Sequence, residues 1–375
     1  MEVDRTLIIA LAEAAMTADY TAVRRFGGQI AKRMAEQNDR EGAKVLQNLL
    51  RKRGVPLQVS GYAEALPRDA GSRLPLIEEG QWPTAPIILD DEAGRTISQF
   101  IEDAQHIDLL AEKGVSARLG LLLHGLPGTG KTLLAGHIAA TLRQPLYVAR
   151  LDSLISSRLG ETAKNIRGIF EFIPARKAVL VLDEMDAIAK LRDDRHELGE
   201  LKRVVNTVLQ GLDSLTDDVV TIGATNHPHL LDPAIWRRFP YKLELKLPNE
   251  DSRAAMWEHF LFQDEEARKD EARLLARVSE GLNGADIENV ALAVRRRAIL
   301  NDRDCNLAQV LLAIGTSHTG NPRLLDNREP DAADKKALTL LLHGKGCINQ
   351  SEIGKIVGVS RQTVHRYLKE SLDGR

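Results

Sequence analysis

The chain of 375 residues is 43% apolar and 28% charged, a balance that permits a large core and excludes wholesale disorder. At roughly 100–200 residues per domain, the length points to two or three domains. The formal net charge of −2 excludes a basic field over the whole protein, though not a local basic patch. Cys305 and Cys347 are the two cysteines and form no Cys-x-x-Cys, so neither a disulfide framework nor a zinc ribbon is expected. Asp4, Arg5 and Glu13 interrupt any apolar leader, and no run reaches the ~18 apolar residues of a bilayer span. The expectation is a cytoplasmic protein without a membrane partner.

Residues 1–54 read as a helical bundle, with Leu7, Ile8, Leu11, Ile30, Met34, Val45, Leu46, Leu49 and Leu50 at helical spacing. Arg51-Lys52-Arg53-Gly54 suits a helix C-terminus, basic against the dipole and closed by glycine. Pro56, Pro67, Pro75 and Pro83 mark 55–85 as a linker. A short Ile87-Ile88-Leu89 strand and a helix over Thr96–Lys113 are expected next. From Leu119 to Leu247, apolar runs at 119–123, 146–149, 178–182, 219–223 and 241–247 alternate with helical stretches. Runs that are apolar throughout indicate strands buried on both faces, and their alternation with helices indicates a parallel α/β sheet. We therefore delimit an α/β domain at 86–248, a helical segment at 249–318, a polar link at 319–333 and a small helical unit at 334–375.

Four segments of the α/β region carry chemistry. Gly125-Leu-Pro-Gly-Thr-Gly-Lys-Thr132 satisfies G-x-x-x-x-G-K-[ST] between a strand and a helix. Gly125, Gly128 and Gly130 let the backbone curl so that successive N–H groups point inward, and the following helix adds its positive N-terminal end. Lys131 offers a point charge to the β- and γ-phosphates, and Thr132 a hydroxyl to Mg²⁺. Pro127, Thr129 and Leu133 complete the expected nucleotide contacts. Ala178–Asp183 is a buried strand ending in a carboxylate. Asp183 is expected to hold Mg²⁺, and Glu184 to orient and deprotonate the attacking water. Val219–Asn226 is another buried strand, with Asn226 placed to bond the γ-phosphate or the water. In Asp232–Phe239, the adjacent Arg237 and Arg238 can form an internal salt bridge or reach a neighbour's γ-phosphate.

Taken together, these motifs resemble the AAA family of ATPases, the branch that includes katanin, spastin and FtsH, over about residues 86–315. Gly125–Thr132 stands as Walker A, Leu180–Glu184 as Walker B, Ala224–Asn226 as sensor 1 and Asp232–Phe239 as the arginine-finger segment. The resemblance implies a P-loop NTPase with a five-stranded parallel sheet, a helical lid, ATP between the two, and a homo-oligomeric ring, usually hexameric. It also implies that Gly284 and Ala285 pack near the nucleotide. Ser157–Glu161 aligns with the loop lining the ring's pore. Where threading members carry an aromatic residue, this chain has Arg158, followed by Leu159. The pair suits acidic or phosphate-bearing substrates, or forms an ordinary loop. His196–Glu200 does not complete H-E-x-x-H, so no protease is expected in this chain.

Gln350–Leu368 reads as two helices around a tight turn. Ile353, Ile356 and Val357 form one apolar face, Gly358 the turn, Val359 a plug and Ser360 an N-cap, with Val364 and Leu368 on the second buried face. This resembles the helix-turn-helix of resolvases and bacterial regulators, with a helix near Asp334–Leu342 completing a trihelical core. Arg361, Gln362, Thr363, His365 and Arg366 occupy the open face of the second helix, where they can meet bases and phosphates. Residues 331–375 hold eight basic against five acidic side chains, a net of +3. One copy is expected to bind DNA weakly, and a ring more tightly through avidity. The alternative is a module that docks protein. The partners of this reading are ATP, Mg²⁺, DNA and an unidentified protein client.

Overall fold

A computed structural model describes residues 66–69, 73–115, 118–154, 161–173, 177–190, 198–217, 219–302, 304–317, 330–344 and 348–372, with isolated helical positions before residue 45. The expected bundle at 1–54 lies almost wholly outside the described residues. Among those described, no helix is long and apolar enough to cross a membrane.

The elements of the α/β region are β1 (Glu78–Gly80), α1 (Asp91–Gln105), α2 (Ile107–Glu112), β2 (Gly120–His124), α3 (Lys131–Leu142), β3 (Leu146–Arg150), α4 (Leu151–Leu154), α5 (Glu161–Phe172), β4 (Val179–Asp183), α6 (Ala187–Lys190), α7 (Leu198–Ser214), β5 (Val220–Thr225), α8 (Pro233–Trp236) and β6 (Tyr241–Glu244). The sheet order is β1-β3-β4-β5-β2-β6. β2 to β6 are parallel, as the apolar runs indicate, with Leu123 opposite Ala224 and Ala149 opposite Leu182. Alternate residues of each run serve opposite faces. Leu121, Leu123, Val179 and Val181 pack with α1 and α3 through Phe100, Leu134 and Ile138. Leu122, Leu180 and Leu182 pack with α5 and α7 through Ile166, Phe170, Val204 and Val208. Each face being covered by helices explains why the runs of β2 to β5 show no charged alternation, whereas β6, at the sheet edge, alternates buried Leu243 with exposed Lys242 and Glu244, a correction to its reading as apolar throughout.

Three expectations are corrected here. The sheet has six strands and is mixed, because β1 adds to the β3 edge in antiparallel fashion. β1 comes from the stretch read as linker. Its apolar neighbours Leu76 and Ile77 are buried in the core, so proline content misled where a few apolar residues decided. Ile87–Leu89 is not a strand; the chain there crosses the mouth of a cavity, and Ile87 and Ile88 line it. The helix expected from Thr96 starts at Asp91, capped by the Asp90 carboxylate accepting from Ala93 N at 2.8 Å.

Pro248 ends the α/β region and Asn249 caps the next helix through Ser252 N at 2.8 Å. A helical lid follows, made of α9 (Glu250–Phe260), α10 (Lys269–Val278), α11 (Gly284–Leu300) and α12 (Leu307–Ser317). Its centre is Trp257, fully buried, whose Nε1 donates to Ser279 Oγ at 2.9 Å.

The C-terminal unit holds α13 (Ala332–Gly344), α14 (Gln350–Val357) and α15 (Arg361–Leu372). Gly358 takes a left-handed φ of 69°, and Val359 N bonds back to Gly354 O at 2.9 Å. Gly354 is required by close approach, since a Cβ there would lie 2.7 Å from Val359 O. The unit packs against the lid. Val310, Leu311 and Ile314 of α12 share one buried cluster with Leu338, Leu342, Ile353, Val357, Val364 and Leu368.

Candidate nucleotide site and its surroundings

β2 ends at His124 and the chain turns at Gly125, whose φ of 141° and position admit no side chain. A Cβ there would lie 2.3 Å from Leu245 O. The loop continues through Gly128 (φ 76°) and Gly130 (φ 94°) into α3, which starts at Lys131. Lys131 is buried, and its ammonium donates to the carbonyls of Gly125 and Leu126 at 2.9 and 2.8 Å. Burial lowers its pKa, and the nearby Asp183 and Asp186 oppose that shift.

Across from the loop, β4 delivers Asp183. Its Oδ2 accepts from Thr132 Oγ1 at 2.9 Å, and its Oδ1 from the Glu184 backbone N–H at 2.8 Å. Glu184 has left-handed backbone, φ 54°, a conformation that costs on the order of 1 kcal/mol for a residue with a Cβ. This turns its side chain off the strand line and onto the cavity wall. Its pKa is raised, first by burial and then by the charge and hydrogen bond of Asp152, while Arg150 pulls the other way. Arg150 bridges both acids, 3.2 Å from Asp152 and 3.5 Å from Glu184. Asp152 and Arg150 were missed in the sequence because nothing marks a β3 end as a neighbour of β4; only the pairing of Arg150 with Asp183 in the parallel register brings them together.

Asp186 is buried and holds the third segment. Its Oδ1 accepts from Thr225 Oγ1 at 2.8 Å and from Asn226 N at 3.3 Å. The Asn226 backbone is thereby fixed, while its side-chain Oδ1 is buried without a hydrogen-bond partner among the described residues. Asp186 was missed in the sequence, because its role depends on the end of β5 standing beside β4.

The lid closes the site. Ala285 N donates to Gly128 O at 3.2 Å. A Cβ on Gly128 would lie 2.7 Å from the Asn283 side chain. Asn283 caps α11 in a reciprocal box with Asp286; Gly284 and Ala285 were expected at the site from sequence, and Asn283 was not. The cavity, open to one side, is about 470 Å³. Pro127, Gly128, Thr129, Gly130, Lys131, Thr132, Leu133, Asp183, Glu184, Asn226, Gly284 and Ala285 line it, so the structure gathers nearly the whole predicted set around one space. Gly125 stands just behind and is not part of the lining. The residues fit a nucleoside triphosphate with a divalent cation. The loop and Lys131 offer donors to phosphate, Thr132 and Asp183 are hard oxygen donors, and Asn226 lines the same space.

Comparison with known proteins agrees with this geometry. A family model described as ATPase family associated with various cellular activities (AAA) matches residues 121–247. An uncharacterized AAA family ATPase of Sinorhizobium fredii is 36% identical over 296 residues, covering 74% of this chain and 88% of that protein. The chain belongs to the AAA family of ATPases. A putative 26S proteasome regulatory subunit homolog of Methanothermobacter marburgensis is 35% identical over 240 residues, 60% of this chain and 62% of the relative. A proteasome-activating nucleotidase of Methanopyrus kandleri is 31% identical over 260 residues, 66% of this chain and 59% of the relative. The chain thus spans less than two thirds of these two archaeal relatives. A second model, winged helix-turn-helix DNA-binding, matches residues 330–370.

Beyond the cavity, the AAA domain separates the two arginines. Arg237 is exposed. Arg238 grips both carboxylate oxygens of Asp213 at 2.7 and 3.0 Å, alongside Arg118 at 2.7 Å from the same group. These guanidinium bonds hold the Asp213 carboxyl below the usual range. Arg158 and Leu159 lie outside the described residues. In the helix-turn-helix, Arg361, Gln362, His365 and Arg366 are exposed and Thr363 is half-buried, with Val364 and Leu368 turned inward. Thr363 is also tied to the cap, its N–H donating to Ser360 Oγ at 3.2 Å.

Proposed function

We propose that this AAA family member is a ring-forming, Mg²⁺-dependent ATPase that remodels a macromolecular client while its helix-turn-helix tethers it to DNA. The observation that carries the reading is the convergence of the Thr132–Asp183 pair, Glu184 and Asn226 on one cavity beneath the glycine loop. Loop N–H groups and Lys131 bind the β- and γ-phosphates. Thr132 and Asp183 hold Mg²⁺, which supplies charge neutralisation on the phosphate oxygens. Glu184 accepts the proton of the attacking water, for which a raised pKa is an advantage. Asn226 orients that water or the γ-phosphate. Arg237 reaches the site of the next subunit, while Arg238 with Asp213 and Arg118 secures the segment that presents it. The same reading sets the protein in the cytoplasm; a place beside katanin, spastin and FtsH within the family is part of it.

The test is ATP turnover by the full chain with and without Mg²⁺, then with duplex DNA, single-stranded DNA or unfolded polypeptide added. Turnover that requires Mg²⁺ and rises with a macromolecule supports the reading; no turnover in any assembled form refutes it. Two variants of the role separate in the same assay. The cluster shared by lid and helix-turn-helix favours an ATP-gated DNA-binding regulator, for which DNA alone stimulates. The archaeal relatives' names favour an ATPase that serves a separately encoded protease, for which polypeptide stimulates.

A further inference from the structure

One charged group on the cavity wall has no part in the phosphate chemistry. Gly284, at the start of α11, lies against the loop, with Gly128 O 3.7 Å from where its Cβ would stand. Glu288 is four residues on and therefore on the same helix face, about 6 Å farther from the loop at 1.5 Å per residue. It lines the cavity beside Met256 and Phe260 of α9, with Ile87 and Ile88 among the other lining residues. That portion of the wall is apolar apart from this carboxylate. Glu288 is half-buried, and it makes no hydrogen bond or ion pair with another described residue.

An ionised carboxylate accepts and cannot donate. Triphosphate oxygens only repel it, and the flanking apolar side chains offer it nothing. The part of a nucleotide that lies one short step from the phosphates and carries donors is the sugar. We propose that Glu288 reads the ribose, accepting hydrogen bonds from its 2′- or 3′-hydroxyl and so selecting ribonucleotides over deoxynucleotides. Carboxylates serve the ribose hydroxyl this way in dinucleotide-binding sheets. The neighbouring apolar surface of Met256, Phe260, Ile87 and Ile88 is then left to the base. The proposal rests on the nucleotide reading of the cavity and adds a specificity residue to it.

Calorimetric binding of ADP, 2′-deoxy-ADP, 3′-deoxy-ADP and GDP to the full chain tests it without turnover. The wild type is expected to bind ADP roughly tenfold or more tightly than at least one deoxy form, the worth of a charge-assisted hydrogen bond. Glu288→Ala should bring ADP and the deoxy forms within about twofold of one another and leave the ADP-to-GDP ratio unchanged. The near-isosteric Glu288→Gln, which preserves packing, should keep part of the preference. Equal binding of ADP and both deoxy forms by the wild type overturns the proposal, as does a preference that survives in Glu288→Ala. A collapse of the ADP-to-GDP ratio in its place overturns it too, and moves Glu288 to the base. Failure of ADP to bind at all instead refutes the nucleotide reading beneath it.

Discussion

Leu342→Ala probes whether the helix-turn-helix is an appendage or part of the lid. Leu342 is fully buried on α13, in the cluster that joins Val310, Leu311 and Ile314 of α12 to Ile353, Val357 and Val364 of α14 and α15. Gly315 of α12 faces the same helix, where an added Cβ would lie 3.9 Å from Leu341 Cδ2. Truncating a buried leucine costs about 2–5 kcal/mol, from lost transfer energy plus the cavity left behind. At about 1.4 kcal/mol per power of ten, the opening equilibrium should rise by roughly one to four powers of ten. Hydrogen exchange read by mass spectrometry reports it segment by segment. In a shared core, peptides from residues 307–317 and 350–372 lose protection together, while β2 to β5 keep theirs. Loss confined to 350–372, with α12 fully protected, would refute the shared core.

Five further outcomes are expected. Glu184→Gln should retain ATP binding and lower turnover by about 10²–10⁴-fold, the usual worth of a positioned base; unchanged turnover refutes the assignment. Because Glu184 must be ionised to act and its pKa is raised, the acidic limb of the rate profile should lie above that of an ordinary glutamate. Asp152→Asn removes a raising influence and should move the limb to lower pH, and Arg150→Gln removes a lowering one and should move it higher. Gly128→Ala places a Cβ on the Asn283 side chain in left-handed backbone and should weaken nucleotide binding, measured calorimetrically. Arg237→Ala should lower turnover while sparing affinity, and mixing it with Lys131→Ala subunits should restore activity. Arg361→Ala should weaken DNA binding and reduce its salt slope by about one if the contact is to phosphate.

Much of this protein follows from local sequence. Glycine at 125, 128 and 130 is dictated by backbone geometry that no other residue accepts cheaply, so the loop declares itself. The parallel strands β2 to β5 declare themselves because burial on both faces leaves no room for charged alternation, while the edge strand β6 alternates. The turn at Gly358 and the apolar faces of α14 and α15 are equally local. What only the folded chain decided involves contacts between distant segments. β1 is three residues long, too short for any period, and exists because β3 has an open edge for it to pair with. Arg150, Asp152 and Asp186 acquire their roles through strand register, which sets which strand ends stand side by side. Asn283 meets Gly128 and Glu288 meets the cavity because the lid folds back over the loop. The polar stretch between α12 and α13 reads as a boundary in sequence, yet apolar residues on either side share one core. Separation along the chain says nothing about proximity once burial selects the partners.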